Sequence, residues 1–92
     1  RSIRGDALTK LVKDMSEDKV LVSIGIKTLG ATAATYYNYG YEANNITSAK
    51  VTVTPTPVKS ADNYINPNGT FAGEVIRNVN DDIVCILFTQ QP

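Results

Sequence analysis

A run of apolar residues near the carboxyl end, Ile83–Thr89, dominates the hydrophobic pattern of the chain. Apolar residues occupy both sets of alternating positions, with Ile83, Cys85 and Leu87 in one set and Val84, Ile86 and Phe88 in the other. A strand that is wet on one side alternates apolar and polar residues, whereas a strand covered on both sides does not. The β-branched and aromatic residues favour a strand over a buried helix. We therefore predict a central strand, with a helix on one face and a second layer or a partner subunit on the other.

The rest of the pattern predicts one helix followed by strands. Apolar residues recur at helical spacing over Asp6–Asp18, and Asp6 is a suitable N-cap. Apolar alternation predicts further strands at Val20–Leu29, Ala49–Thr54 and Phe71–Val79. A tight turn at Asn80-Asp81-Asp82 then leads into the central strand. Because hairpins favour antiparallel pairing, we predict a single α+β domain over residues 1–92, in which an N-terminal helix packs on an antiparallel sheet of about four strands.

A long loop precedes the predicted C-terminal hairpin. It covers Val58–Thr70 and contains the turn sequence Asn66-Pro67-Asn68-Gly69, in which proline presets the second turn position. Two Thr-Pro units before the loop end the preceding strand at Thr54, because proline cannot donate to a β ladder. A connection of this length is often functional in a small domain. The loop is therefore a candidate contact surface.

Four of the five tyrosines fall close together and form the candidate binding residues. They are Tyr36, Tyr37, Tyr39 and Tyr41. If the segment is a strand, the last three share one face. Tyrosine combines a large contact area and a hydroxyl with little rotamer freedom, as in antibody combining sites. Two interpretations stay open: a packed sheet face or loop, and a binding surface for a glycan, a peptide or a neighbouring subunit.

Composition excludes some classes of function. Lys and Arg number 9 and Asp and Glu number 9, so the net charge is zero, and we expect no nucleic-acid partner. No apolar stretch is long enough to cross a bilayer, so we expect no membrane span in this chain. Charged residues make up only 20% of the chain, and Thr and Asn supply much of its polarity. That balance favours an extracellular or surface-exposed protein.

Little in the chain points to catalysis, a metal or a cofactor, and we predict none of them. There is no histidine, which removes the commonest general base and metal ligand. Glu74 with Asp81 or Asp82 is the remaining carboxylate pair that acid–base chemistry would use. Oxygen donors also alternate at Asn78, Asn80 and Asp82, as in calcium loops. A polar hairpin turn is the simpler interpretation of that pattern.

Four short features have both a plain and a functional interpretation. Arg4-Gly5-Asp6 spells an integrin-recognition tripeptide at a predicted helix start. Asn45-Ile46-Thr47 and Asn68-Gly69-Thr70 have the form of N-glycosylation acceptors in loops. The single cysteine, Cys85, is either a small buried apolar residue or a thiol available for an intermolecular disulfide.

These features together predict a non-enzymatic protein. The leading hypothesis is a structural or assembly subunit of a surface filament or virion, or a secreted adhesion module, with self-association or another protein subunit as its partner. A helix followed by an antiparallel sheet is similar in element order to the globular domains of type IV pilins, although their paired cysteines are missing here. The alternative is a monomeric glycan- or peptide-binding module that uses residues 36–41 and the loop 58–70.

Overall fold

The structure, a computed structural model, describes residues 2–18, 20–49, 55–56, 58–60 and 63–92. Within these residues it contains one helix and seven strands. Their bounds are β1 Ser2–Arg4, α1 Gly5–Glu17, β2 Ser23–Lys27, β3 Thr35–Tyr37, β4 Tyr39–Glu42, β5 Asn45–Ala49, β6 Thr70–Arg77 and β7 Ile83–Gln90. The predicted helix and the two strands of the C-terminal hairpin are confirmed. The predicted strand Ala49–Thr54 lies outside the described residues beyond Ala49.

The described strands form two sheets. Five of them make a mixed sheet in the order β1-β6-β7-β2-β3, and β4 pairs with β5 separately. Neighbours in the larger sheet are antiparallel except β2 and β7, which run parallel with Ile24 opposite Ile86. The α+β class with an N-terminal helix is confirmed, but the prediction of about four antiparallel strands is wrong. The hairpin β6–β7 lies between β1 and β2, so the order in the sheet does not follow the order in the chain.

The central position predicted for Ile83–Thr89 is confirmed, because β7 is the middle strand of the larger sheet. One face of that sheet packs against α1 and forms the main core. Its buried members are Leu8, Val12, Ile24, Ile26, Tyr37, Ile65, Phe71 and Phe88. Full burial of side chains of this size stabilises a fold by roughly 1.5–3 kcal/mol each. The core therefore stabilises the domain without an intramolecular disulfide.

The middle of the opposite face of β7 is covered by parts of the same chain, while Ile83 at its start is 39% exposed. Cys85 and Ser23 are fully buried there, and the Ser23 hydroxyl donates to the carbonyl of Tyr39 in β4. Farther along, the Tyr36 ring packs on Gly25, where an added Cβ would come within 2.8 Å of Tyr36 Cε1. Part of the second layer expected over the central strand is thus supplied by β4, which belongs to the smaller sheet, and by the side chain of Tyr36 from β3 of the larger sheet.

The start of α1 is capped by the chain's own loop, so the prediction of Asp6 as N-cap is wrong. The N-cap residue is Arg4, whose side chain makes no capping hydrogen bond. The amide of Gly5 donates to the carbonyl of Gly69 at 2.8 Å, and the amide of Asp6 donates to the carbonyl of Pro67 at 3.1 Å. Backbone carbonyls therefore replace the side-chain acceptor that helix starts usually need.

The described parts of the Val58–Thr70 loop are tied to the rest of the domain. Ile65 is 1% exposed and belongs to the core, and its amide donates to the carbonyl of Thr56 at 2.9 Å. The turn predicted at Asn66-Pro67-Asn68-Gly69 is confirmed by a 3.0 Å hydrogen bond from the Gly69 amide to the Asn66 carbonyl. This half of the loop is a packed structural element.

Asn38 divides the tyrosine-rich stretch into two strands. It has a φ of +69°, a conformation that asparagine tolerates better than most residues. Its side-chain amide donates to the carbonyls of Val20 and Val22, both at 2.7 Å. The break separates Tyr37, at the end of β3, from Tyr39, at the start of β4. The alternation expected of one continuous strand therefore fails here.

Candidate interaction site

An apolar groove lies between α1 and the β1 side of the larger sheet, and we call it the edge groove. Its volume is about 510 Å³, and it is lined by Ser2, Ile3, Leu11, Gly73, Glu74, Val75, Ile86 and Phe88. Ile3, Leu11 and Ile86 pack on the core but are only partly buried. Val75 is 51% exposed. The helix therefore leaves apolar surface of β6 and β7 uncovered on the face where it packs.

The edge groove adjoins a stretch of sheet edge. β1 pairs only with the first three residues of β6, Thr70 to Ala72. Within the described chain no strand pairs with the outer side of Gly73–Arg77. The Thr70 carbonyl accepts from the amide of Gln91, so it faces β7. Backbone groups of an edge strand alternate in direction, which turns those of Gly73, Val75 and Arg77 outward. Unpaired groups of this kind favour the addition of another strand.

The three carboxylates considered for acid–base chemistry are not brought together. Glu74 lies within β6 and lines the edge groove. Asp81 and Asp82 lie in the turn that follows β6, and the strand end at Arg77 is about 10 Å along the strand from Glu74. Asp81 instead forms a 3.9 Å ion pair with Arg77 across the turn. The arrangement supports no pairing of general acid and base.

The alternating oxygen donors form a hydrogen-bonded turn. The Asn78 side-chain oxygen accepts from the amides of Asn80 and Asp82, both at 3.0 Å. Asp81 has a φ of +66°, and its amide donates to the Asn78 carbonyl. Among the described residues, no cluster of three or more potential metal-ligating side chains occurs. The structure thus favours the polar hairpin turn over the calcium loop.

The four candidate tyrosines have different environments. Tyr37 is 1% exposed in the core, so it presents no contact surface. Tyr36 and Tyr41 are half-buried and pack together with ring centroids 5.4 Å apart and planes tilted by 36°. The Tyr41 hydroxyl donates to the side-chain oxygen of Asn44 at 2.7 Å. Tyr39 is also half-buried. The structure therefore brings two of the four together as an aromatic pair.

Burial of Tyr37 should make the stability of the domain sensitive to alkaline pH. Burial raises the pKa of the Tyr37 phenol from 10.0 to about 12. Because the folded state holds the proton more tightly than the unfolded state, this contribution is complete below about pH 10 and is lost between about pH 10 and 12, at up to about 1.4 kcal/mol per pH unit. Urea unfolding of the native chain and of Tyr37→Phe between about pH 8 and 11.5 measures this loss. We expect the variant to lose less stability, and equal slopes would contradict the assignment.

The Arg4-Gly5-Asp6 tripeptide is part of the helix start. Its two charged side chains form a 3.4 Å ion pair and are 61% and 60% exposed. Arg4 also donates to the side-chain oxygen of Asn68 at 3.2 Å. Gly5 is buried. The tripeptide thus spans the junction of β1 and α1, with its charged groups in contact with each other and with the neighbouring turn.

Both glycosylation-type asparagines are exposed, Asn45 at the start of β5 and Asn68 in a turn. Asn45 follows Ala43 and Asn44, whose φ values of +52° and +64° form the tight β4–β5 turn. Asn45 also lines a second, more polar hollow of about 490 Å³ with Leu21, Ile46, Asn78, Asp82, Ile83 and Val84. Asn68 lies in the loop that caps α1 and accepts from Arg4. Their exposure would allow a modifying enzyme to reach both asparagines, but it is no evidence that either is glycosylated.

Cys85 is fully buried in the centre of the sheet. Burial raises the pKa of its thiol, while hydrogen bonds with the Gly25 backbone and the Ser23 hydroxyl act in the opposite direction. A thiol in this position is protonated near neutral pH and out of reach of another chain. The structure thus supports the interpretation of Cys85 as a small apolar core residue.

Apart from Glu74, which was considered only as a carboxylate for acid–base chemistry, the residues of the edge groove were absent from the sequence-based candidates. The strand pattern placed Val75 on an apolar face, but exposure on that face depends on where α1 and β1 end against the sheet.

No described helix is sufficiently long and apolar to cross a bilayer. In comparisons with protein-family models, curated proteins and solved structures, nothing matches this chain. Its function must therefore be inferred from its own geometry.

Proposed function

We propose that this chain is a non-enzymatic structural or assembly subunit, with a second subunit as its partner. A surface filament, a virion or a secreted adhesion assembly is the setting that its composition favours. The observation that carries the proposal is the edge groove, where half-exposed apolar side chains lie beside strand backbone that no described residue pairs. A single surface therefore offers both hydrophobic contact and backbone hydrogen bonds.

Two further features support association over chemistry. The net charge of zero removes the long-range repulsion that keeps many small proteins apart. The polar side chains that line the edge groove are limited to Glu74 and Ser2, so its lining is mainly apolar. Contact surfaces between subunits have this composition, with an apolar centre and few charges.

Association should be visible as a dependence of mass on concentration. Light scattering and sedimentation equilibrium over about 1–500 µM should show a weight-average mass rising above the 10.0 kDa of one chain. Val75→Asp places a charge in the edge groove and should abolish the rise, because an unpaired charge opposes burial. Val79→Asp is the matched control, since Val79 is 100% exposed in the turn. A native chain that stays monomeric throughout would contradict the proposal.

A monomeric glycan- or peptide-binding module is the second candidate. The half-exposed Tyr36–Tyr41 pair favours it, because tilted aromatic rings offer flat apolar surface for a sugar or an extended peptide. The packed part of the 58–70 loop contributes less than expected, since Ile65 is in the core and the turn after it caps α1. A strictly monomeric native chain in the mass experiment would favour this candidate over the first.

A further inference from the structure

We propose that Asn68 is a site of spontaneous deamidation, in which its side-chain amide is lost and a carboxylate takes its place, and that the cap of α1 controls the rate. Asparagine is a thermolabile residue, and the backbone nitrogen that follows it is the group that attacks its side chain. Asn68 is exposed and is the one asparagine of the sequence that precedes a glycine. Because glycine has no Cβ, the nitrogen of Gly69 is the least hindered nucleophile of this kind in the chain. The proposal is independent of the proposed function.

The reaction consumes only water and has two stages. The Gly69 nitrogen loses its proton and attacks Cγ of Asn68, so a nitrogen–carbon bond forms. The bond from Cγ to the side-chain nitrogen then breaks, and ammonia leaves after taking up a proton from solvent. Water opens the resulting succinimide ring at either of its carbonyl carbons. Opening at the side-chain carbon gives aspartate, and opening at the backbone carbon gives isoaspartate, whose backbone contains one more carbon atom.

The folded turn opposes this reaction. The Gly69 amide donates to the Asn66 carbonyl at 3.0 Å, and the Asn68 amide donates to the Asn66 side-chain oxygen at 3.0 Å. The side-chain oxygen of Asn68 accepts from Arg4 at 3.2 Å. Loss of the Gly69 proton gives up the first of these bonds, and any rotation of the Asn68 side chain toward the nitrogen gives up the last. The native turn therefore slows a reaction that its sequence favours.

Contact between the turn and α1 sets how often the turn opens. The carbonyls of Pro67 and Gly69 accept from the amides of Asp6 and Gly5, at 3.1 and 2.8 Å. Opening of the turn therefore breaks the capping bonds of the helix. Local opening of this kind costs less than global unfolding, and the rate of a slow reaction then follows the population of the open form. Deamidation at Asn68 thus measures how often the helix cap opens.

The two products affect the cap in opposite directions. Aspartate at position 68 puts a carboxylate beside the Arg4 guanidinium and near the N-terminus of α1, where negative charge is favourable. Isoaspartate lengthens the backbone between the carbonyls of Pro67 and Gly69, which disturbs the spacing that lets both accept from the helix. Either product adds one negative charge to a chain whose net charge is zero. One product thus keeps the capping geometry and the other loses it.

Mass spectrometry of the full chain tests the site. After incubation at mildly alkaline pH, digestion locates the mass increase that accompanies exchange of an amide for a carboxyl group. In the chain unfolded by guanidinium chloride, Asn68 should react faster than any other asparagine. Gly69→Ala is the matched control, and its added Cβ should slow the reaction at least about tenfold. Equal rates in the native sequence and this variant, or faster reaction at another asparagine, would overturn the assignment of the site.

Comparison of folded and unfolded chains tests the control by the cap. The folded native chain should react at Asn68 at least about tenfold more slowly than the unfolded chain, because only its open form reacts. Gly5→Ala puts a Cβ against the Asn66 carbonyl and should raise the folded rate at least about fivefold. Gly30→Ala, with open space around its Cβ, should react at close to the native rate. If Gly5→Ala does not fold, the ratio of the two native rates decides alone, and a ratio near one overturns the control by the cap.

Urea unfolding tests the effect of each product. Asn68→Asp should unfold at the same urea concentration as the native chain or at a higher one, because its carboxylate is near the N-terminus of α1. Native chain enriched in isoaspartate by incubation should unfold at a lower concentration. Equal midpoints for fresh and enriched chain would overturn the effect of isoaspartate on the cap.

Discussion

Leu8→Ala should lower the free energy of unfolding by about 3–5 kcal/mol, the largest loss expected from truncation of one side chain in α1. Leu8 is 0% exposed and contacts the core formed by the helix and the larger sheet. Removal of three carbon groups there costs their transfer energy and leaves a cavity that the surrounding strands cannot fully close. A domain of this length has about 5–14 kcal/mol of stability in total, so the variant should lose a large fraction of it.

Equilibrium unfolding in urea measures this loss, with Leu21→Ala as the matched control. Leu21 is 64% exposed, so the same chemical change there should alter the free energy of unfolding by no more than about 0.5 kcal/mol. Both variants should retain the native dependence on urea, because the surface exposed on unfolding is similar. Equal losses at the two positions would contradict the assignment of Leu8 to the core and of α1 to this face of the sheet.

The elements that depend on local pattern could be predicted from the sequence. The apolar stripe of α1 predicts which face of the helix is buried, and Leu8 and Val12 on that stripe are in the core. The continuous apolar run predicts that β7 is central, since only a strand covered on two faces needs apolar residues in both alternating sets. Both inferences use short-range periodicity, which the chain itself contains.

Features that depend on long-range pairing could not be predicted. β1 has three residues, too few for alternation to identify a strand, and its pairing with β6 brings Ser2 opposite Ala72, far away along the chain. The parallel pairing of β2 with β7 follows from the position of the C-terminal hairpin in the sheet, which no local pattern specifies. Asn38 ends β3 because its side chain meets carbonyls of residues 20 and 22, a contact made only after the chain folds back.

The same limit of local patterns applies to the candidate contact surfaces. The tyrosine-rich pattern drew attention to Tyr36 and Tyr41, which pack together as an aromatic pair, but the break at Asn38 places Tyr37 in the core. The sequence pattern did not single out Val75 as a site residue, because valine is common in β-strands. Its place in the edge groove depends on how far α1 extends over the sheet, which the pattern within β6 does not show. The edge groove exists because neighbouring elements leave part of β6 uncovered, and no local sequence pattern reports where those elements end.

Gly5→Ala should lower the free energy of unfolding by about 2–4 kcal/mol, although alanine is the better helix former by up to about 1 kcal/mol. An added Cβ at Gly5 would lie well within the contact distance of the Asn66 carbonyl oxygen and 3.1 Å from Pro67 Cα. These are backbone atoms of the turn that caps α1, so no side-chain rotation relieves the clash. The turn must move away, and the hydrogen bonds from Gly5 and Asp6 to its carbonyls must lengthen or break.

Comparison with Gly30→Ala separates this clash from a general effect of replacing glycine. Gly30 has a φ of +78° and open space around it, so alanine there carries only the left-handed backbone cost of roughly 1–2 kcal/mol. Urea unfolding should therefore rank Gly5→Ala as the more destabilised variant, and hydrogen exchange should show faster exchange at the amides of Gly5 and Asp6 in it alone. A neutral or stabilising Gly5→Ala would mean that the helix start and the turn after Ile65 are not in contact, and that the loop does not cap α1.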